Sequence, residues 1–228
     1  HNDGLSFTSI AASLPSIAAL PLMPFKAVKR VVETALFSPG RTPLHEAVIQ
    51  NNDKLVAEIL RMRPNLINTK DQQRWTPILY AAAYGHMRLM MRLTRSGADL
   101  SCVDSDESGI LHFLARNRRV GNAPLEFADL LDILVLHHIN LDQTNMFGAT
   151  ALHEAASRNN LVVLHSLCQR GAKVDATTKL GETPLIYAAR ENCVDSVNFL
   201  LHRGANMDHS GKNGSSVEVA RIVAMFPC

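Results

Sequence analysis

Two stretches of the 228-residue chain carry a His-Glu pair in near-identical settings, "TPLHEAV" at 42–48 and "TALHEAA" at 150–156. His followed by Glu opens the H-E-x-x-H motif, in which two imidazoles on one helix face hold zinc and the glutamate serves as base. That chemistry needs a second histidine four residues after the first, and Ile49 and Ser157 stand there. If they sit on packed helices, His45, His112 and His153 would also be about 10 Å apart, too far to share one ion. The histidines therefore read as structural, and a metal-dependent hydrolase is kept only as a remote alternative.

The other chemistry-bearing residues are equally bland. Cys168 lies on the apolar pattern of one helix and Cys193 opens another, as small buried or half-buried residues do. There is no G-x-S-x-G elbow around a serine and no glycine-rich loop to cradle phosphate. The expectation is no catalytic residue, no cofactor and no metal. The four cysteines, Cys102, Cys168, Cys193 and Cys228, form no C-x-x-C and no framework spacing, so they read as reduced thiols of an intracellular protein. The expected location is the cytoplasm, with the nucleus also open.

Composition sets the scaffold that must hold these residues. The chain is 46% hydrophobic and 19% charged, with aromatics at 5%, so it can build a core carried by Ala, Leu and Val, which favours helices. A net charge of +2 argues against a dedicated nucleic-acid binder, despite the basic run of Arg116, Arg118 and Arg119. That run reads as a solvated loop, or as a contact for an acidic segment or anionic lipid. The apolar stretch 10–25 is short for a membrane span and is broken by Pro15, Pro21 and Pro24, so no membrane insertion is expected. It lacks a preceding basic region, which makes it a poor signal peptide. The chain begins at His1 rather than Met, so the expectation is a fragment or the remnant of a cleaved tag, with room for missing domains on either side.

The His-Glu segments belong to a longer series. "TPLHEAV" starts at Thr42, "TPILYAA" at Thr76, "GILHFLA" at Gly109, "TALHEAA" at Thr150 and "TPLIYAA" at Thr183, with a weak "SSVEVA" at Ser215. The spacings are 34, 33, 41, 33 and 32 residues, a period that marks stacked supersecondary units. A second apolar helix pattern follows several copies, as in 54–62, 88–100, 161–174 and 194–207. Thr42, Thr76, Thr150 and Thr183 sit where a helix N-cap is needed, and Pro43, Pro77 and Pro184 occupy the first helical position. His45 and His153 hold the third position, from which a side chain reaches back to the cap. Paired alanines such as Ala81-Ala82, Ala155-Ala156 and Ala188-Ala189 let helices approach closely. Asn51, Gly85, Asn159 and Asn192 supply left-handed turns between helices.

With this pattern, clearest in "GETPLIYAARENCVDSVNFLLHRGANMD" at 181–208, the chain resembles the ankyrin-repeat family over about 39–221. The resemblance implies an all-α solenoid of about five helix-turn-helix repeats with β-hairpin-like fingers between them. Expected repeats run over about 40–73, 74–106, 107–147, 148–180 and 181–213, with a partial copy at 214–228. Residues 1–38 form an extension that includes a capping helix over 26–37, where Val28, Val31, Val32, Ala35 and Leu36 recur at helical spacing. The segment before it is a packed or frayed arm, or a peptide lying in the groove. Repeat 3 departs most. It lacks Thr-Pro, and its extra eight residues fall in 116–127, an insertion that is functional or a tolerated loop.

The resemblance also implies non-enzymatic binding of a protein or peptide along a concave face, as a scaffold or adaptor within a larger protein, and a monomer. An intramolecular role, docking a flanking domain, is the alternative. In the family the residue after the motif histidine faces the groove, which here gives Glu46, Tyr80, Phe113, Glu154 and Tyr187. Three or four residues further lie Tyr84, Arg116, Arg158 and Arg190. Tyr and Arg bring large contact area with a polar handle, so the expected centre is an exposed stripe of Tyr80, Tyr84 and Phe113 flanked by charges. Trp75, before the second Thr-Pro, is the leading finger-tip candidate, with Phe147 and Leu180 behind it.

Overall fold

The computed structural model describes residues 40–207. The expected capping helix over 26–37 and the partial repeat at 214–228 lie outside them. Ten α-helices follow one another in antiparallel pairs: α1 (Pro43–Ile49) with α2 (Asp53–Met62), α3 (Pro77–Tyr84) with α4 (Met87–Arg95), α5 (Ile110–Arg116) with α6 (Pro124–Leu136), α7 (Ala151–Ser157) with α8 (Leu161–Gln169), and α9 (Pro184–Arg190) with α10 (Val194–His202). The first helices of successive pairs pack on one another in a row, and each second helix except α6 packs on its own first helix, whereas α6 packs chiefly on α4. The fold is the all-α repeat solenoid that the resemblance implied.

Small residues set this packing. Ala47, Ala81, Ala82, Ala115, Ala155, Ala156 and Ala188 are fully buried, so the backbones of neighbouring first helices can close on Leu44, Ile78, Leu114, Leu152 and Leu185. The turns obey the expected chemistry. Asn51, Asn159 and Asn192 have φ of 52°, 52° and 56°, and Gly85 has φ of 71°. Asn tolerates this region because its short polar side chain bonds locally.

Between repeats the chain makes four fingers on one plan. Asp71, Asp104, Asn145 and Thr178 each accept two backbone N–H groups with one side-chain oxygen: from Gln73 and Trp75, Asp106 and Ser108, Phe147 and Ala149, and Leu180 and Glu182. Each turn then needs a left-handed residue, supplied by Arg74, Glu107, Gly148 and Gly181. Two isolated β-bridges, Val103 to Gly109 and Thr144 to Thr150, are the only strand-like pairs among the described residues. Neighbouring fingers join where the Met146 N–H donates to the Asp106 carbonyl at 2.9 Å and the Lys179 N–H to the Phe147 carbonyl at 3.0 Å.

The repeat 3 insertion is tied down on both sides. Asn117 donates to the carbonyl of Ala83 in repeat 2 at 2.8 Å, and Asn160 of repeat 4 donates to the carbonyl of Ala115 at 3.2 Å. A short 3-10 turn, Val120–Asn122, places Val120 in the core. Residues 124–127 of the presumed insertion are the first turn of α6, whose Phe127, Leu130, Leu131 and Leu134 are fully buried. The extra residues thus lengthen a core helix rather than form a free loop.

Candidate protein-binding face

The motif histidines face inward. His45 Nδ1 accepts the Thr42 N–H at 3.0 Å, and its Nε2 donates to the Trp75 carbonyl at 3.1 Å. His153 repeats this with Thr150 at 3.1 Å and the Glu182 carbonyl at 3.0 Å. His112 does so with Gly109 at 3.1 Å and the Ala149 carbonyl at 2.9 Å, although Gly109 has no hydroxyl to add. A backbone N–H can only donate and a carbonyl can only accept, so all three rings are neutral with the proton on Nε2. Burial pushes all three below the usual histidine range, His153 down to about 4. Each ring braces its own helix start against the finger of the next repeat, and its two nitrogens are already committed to backbone. No group of three or more His, Cys, Asp or Glu among the described residues is placed to hold a metal ion.

The residues after the histidines line the first-helix face, but not as an exposed aromatic stripe. Tyr80 is 3% exposed and Phe113 7% exposed. Trp75 folds down from its finger to cover them, with ring centroids 4.9 Å from Tyr80 and 4.7 Å from Phe113. It is half-buried against the core rather than a free tip. Tyr80 is clamped further, since its hydroxyl donates to Asp71 Oδ2 at 2.7 Å and accepts from Arg41 Nε at 3.0 Å. Burial, with the Asp71 bond second, raises this phenol to about 12. Glu46 is also buried, with Arg41 Nη1 3.4 Å from its carboxylate, so it does not look outward as the sequence led one to expect. The end of the face built by repeats 1 to 3 is a closed aromatic floor.

Towards repeats 4 and 5 the same face opens and becomes charged. Arg116 of repeat 3 reaches Glu154 of repeat 4 at 2.7 Å. Arg190 lies 4.5 Å over the Tyr187 ring and donates to Glu182 Oε1 at 2.9 Å. Tyr187 in turn meets the His153 ring edge-on at 5.0 Å. The Arg116 guanidinium is raised, chiefly by its bond to Glu154. Arg158 and Arg190 are exposed, Glu154 and Tyr187 half-buried, and Tyr84 is exposed beside His86, whose ring stacks on it at 5.7 Å. Phe147 and Leu180 stand exposed on adjoining fingers. Sequence reasoning missed Arg41 and Asp71, which close the floor over Tyr80. Their only signal was their place in the chain, Arg41 just before the first cap at Thr42 and Asp71 at the head of the finger that leads into α3.

Comparison with known proteins agrees with this architecture. A family model described as "Ankyrin repeat" matches residues 39–72 and 73–105, and one described as "Ankyrin repeats (3 copies)" matches 111–210. The chain is 31% identical over 144 residues to the B-cell lymphoma 3 protein homolog of Mus musculus, covering 62% of this chain and 31% of that protein. It is 27% identical over 146 residues to the poly [ADP-ribose] polymerase tankyrase of Caenorhabditis elegans, covering 60% of this chain and 6% of that protein. The chain thus spans less than a third of the length of these relatives. Among solved structures, the ankyrin repeat domain of Bcl-3, described as a member of the IkappaB protein family, superposes with a TM-score of 0.70 at 26% identity, covering 82% of this chain and 86% of that one. No helix among the described residues is long and apolar enough to cross a membrane. Ankyrin repeats mediate protein binding, and the likeness to an IkappaB-family domain points to an interaction domain. The chain belongs to the ankyrin-repeat family.

Proposed function

We propose that this chain is a non-enzymatic module that binds a protein or peptide segment along its first-helix face, as the scaffold or adaptor part of a larger intracellular protein. The observation that supports this reading most is the ladder of half-exposed charged and aromatic groups on α5, α7 and α9. Arg116–Glu154 and Arg190–Tyr187–Glu182 are held in fixed geometry by partners in neighbouring segments. Preorganised arginines and tyrosines lose little freedom on binding, which is what makes them strong anchors. The contact residues on this reading are Tyr84, Arg116, Glu154, Arg158, Tyr187 and Arg190. Tyr80, Phe113, Trp75 and Glu46 form the rigid floor beneath one end.

The test is affinity capture with the wild-type chain and with Arg158→Glu/Arg190→Glu, followed by titration of the captured partner. Both side chains are exposed, and partner affinity should fall by about tenfold or more. Because Arg190→Glu also leaves the buried Glu182 carboxylate without its cation, Arg158→Glu alone, with helicity read beside affinity, separates lost binding from lost folding. Equal affinity in the two proteins would move the binding surface elsewhere.

A further inference from the structure

The second helices present a different surface. α2 packs on α4 more loosely than α4 packs on α6, which leaves a groove between repeats 1 and 2. Two adjoining recesses of about 670 and 270 Å³ share Arg92 and Ser96 as a common wall. Leu60, Ile67 and Met91 supply an apolar floor, packed against or within the core. Arg61, Arg88, Arg92 and Arg95 line the groove against a single carboxylate, Asp53. Asp53 holds Arg92 with two hydrogen bonds of 2.5 and 2.7 Å, fixing that guanidinium across the cleft. Arg88 lies 3.6 Å from Glu126. Arg61 and Arg95 have no ion-pair partner among the described residues. Both lie in the last turn of their helices, where the dipole favours a cation without cancelling its charge at the groove.

We propose that this groove is a second docking surface, taking an acidic segment of a partner protein that carries apolar side chains at helical spacing. Charge complementarity selects that occupant, because the segments of this chain that flank the repeats are not acidic. Residues 1–39 hold Lys26, Lys29 and Arg30 against Asp3 and Glu33, and residues 208–228 hold Lys212 and Arg221 against Asp208 and Glu218. The apolar floor lies recessed below the arginines, which suits side chains descending from a peptide better than a flat anionic membrane. Carboxylates of the partner pair with Arg61 and Arg95 at the rim, and its apolar residues enter the two recesses on either side of Arg92. The surface is separate from the first-helix face, so each can be tested without the other.

The experiment titrates the full chain with a fluorescent peptide rich in Glu with Leu at helical spacing, and with the same peptide carrying Lys in place of Glu. The Glu peptide should bind saturably and shift the amide resonances of α2 and α4, and the Lys peptide should not bind. Arg61→Glu/Arg95→Glu should weaken binding by about tenfold or more, and added salt should weaken it further. If that variant loses helicity, Arg61→Gln/Arg95→Gln should still weaken it by about threefold. Arg158→Glu/Arg190→Glu should leave it unchanged. The proposal is overturned by absence of saturable binding or by equal binding in the Arg61/Arg95 variants. It is also overturned by tighter binding to phosphatidylserine vesicles or a single-stranded oligonucleotide than to the peptide.

Discussion

The Nε2 of His153 donates to the carbonyl oxygen of Glu182 at 3.0 Å, joining the start of one repeat to the finger of the next. Its Nδ1 already accepts the Thr150 N–H, so a second proton has no place to go except onto that acceptor. Burial holds the folded pKa at about 4, against the opposing pull of the bond to Glu182, whereas an unfolded histidine titrates near 6.5. Between those values the unfolded chain takes up a proton that the folded one refuses. Stability is therefore full above about pH 6.5 and falls as pH drops towards 4. At pH 5 His153 alone should lower it by on the order of 2 kcal/mol relative to pH 8. His45 and His112 are shifted in the same direction and add to the loss. Urea midpoints measured at pH 8, 6.5 and 5 check this. His153→Gln should be less stable at pH 8 yet show a shallower pH slope, and an unchanged slope would place the acid sensitivity in other groups.

Asn159 does two jobs where the sequence suggests one. Its backbone takes the left-handed turn after α7. Its side-chain oxygen also accepts the Ser196 N–H at 3.1 Å and the Ser196 hydroxyl at 2.9 Å, and its amide donates to Asp195 at 3.0 Å. α10 has no cap from its own N-cap residue, Cys193, so the previous repeat supplies one. Asn159→Gly keeps the turn and removes the cap, and should cost about 1–2 kcal/mol. Asn192→Gly makes the same turn change, with no side-chain bond at stake among the described residues, and should be near neutral. Equal losses in chemical denaturation would mean the cap contributes nothing.

Glu107 and His138 occupy backbone that suits glycine. Their φ values are 60° and 59°, where equivalent positions hold Gly148 or Gly181 in the fingers and Gly97, Gly171 or Gly204 after the second helices. A non-glycine residue there is strained by about 1–2 kcal/mol, offset in part by the smaller entropy of its unfolded chain. Glu107→Gly and His138→Gly should each raise stability by about 0.5–1 kcal/mol, read as a higher melting temperature. The reverse change is worse than neutral. A Cβ at Gly148, with φ of 79°, would lie 2.7 Å from the Lys179 nitrogen, the backbone group that joins two fingers. Gly148→Ala should cost about 2 kcal/mol or more, because both the dihedral and the finger contact resist it.

Thr42, Pro43, His45 and Asn51 state local rules of capping and turning, so the repeat could be read directly from the chain. The fate of Tyr80 could not. Its position in the helix puts it on the first-helix face, and nothing within that helix says whether the face is open there. Trp75 closes it from the preceding finger, with Arg41 and Asp71 binding the phenol. Phe113 is buried by the same tryptophan from another repeat. Exposure is thus decided by how a finger folds back over the helix faces on either side of it, which a periodic pattern does not encode. Arg158 and Arg190, which the same register places on this face, are exposed.

Arg116 and Glu154 meet at 2.7 Å across the junction of repeats 3 and 4, with Glu154 only half-buried. A pair this exposed is partly screened, so a double-mutant cycle on Arg116→Ala and Glu154→Ala should give a stability coupling of about 0.5–1 kcal/mol. Its larger effect should fall on recognition. In the folded chain Glu154 neutralises Arg116, and Glu154→Ala would release that cation onto the first-helix face. An acidic partner of this face should then bind more tightly and a basic one more weakly, by a factor of about three to ten, with Arg116→Ala shifting affinity the opposite way. Titrating the captured partner against both single variants reads the sign. If neither variant moves the affinity while both lower stability, the ion pair braces the junction and takes no part in binding.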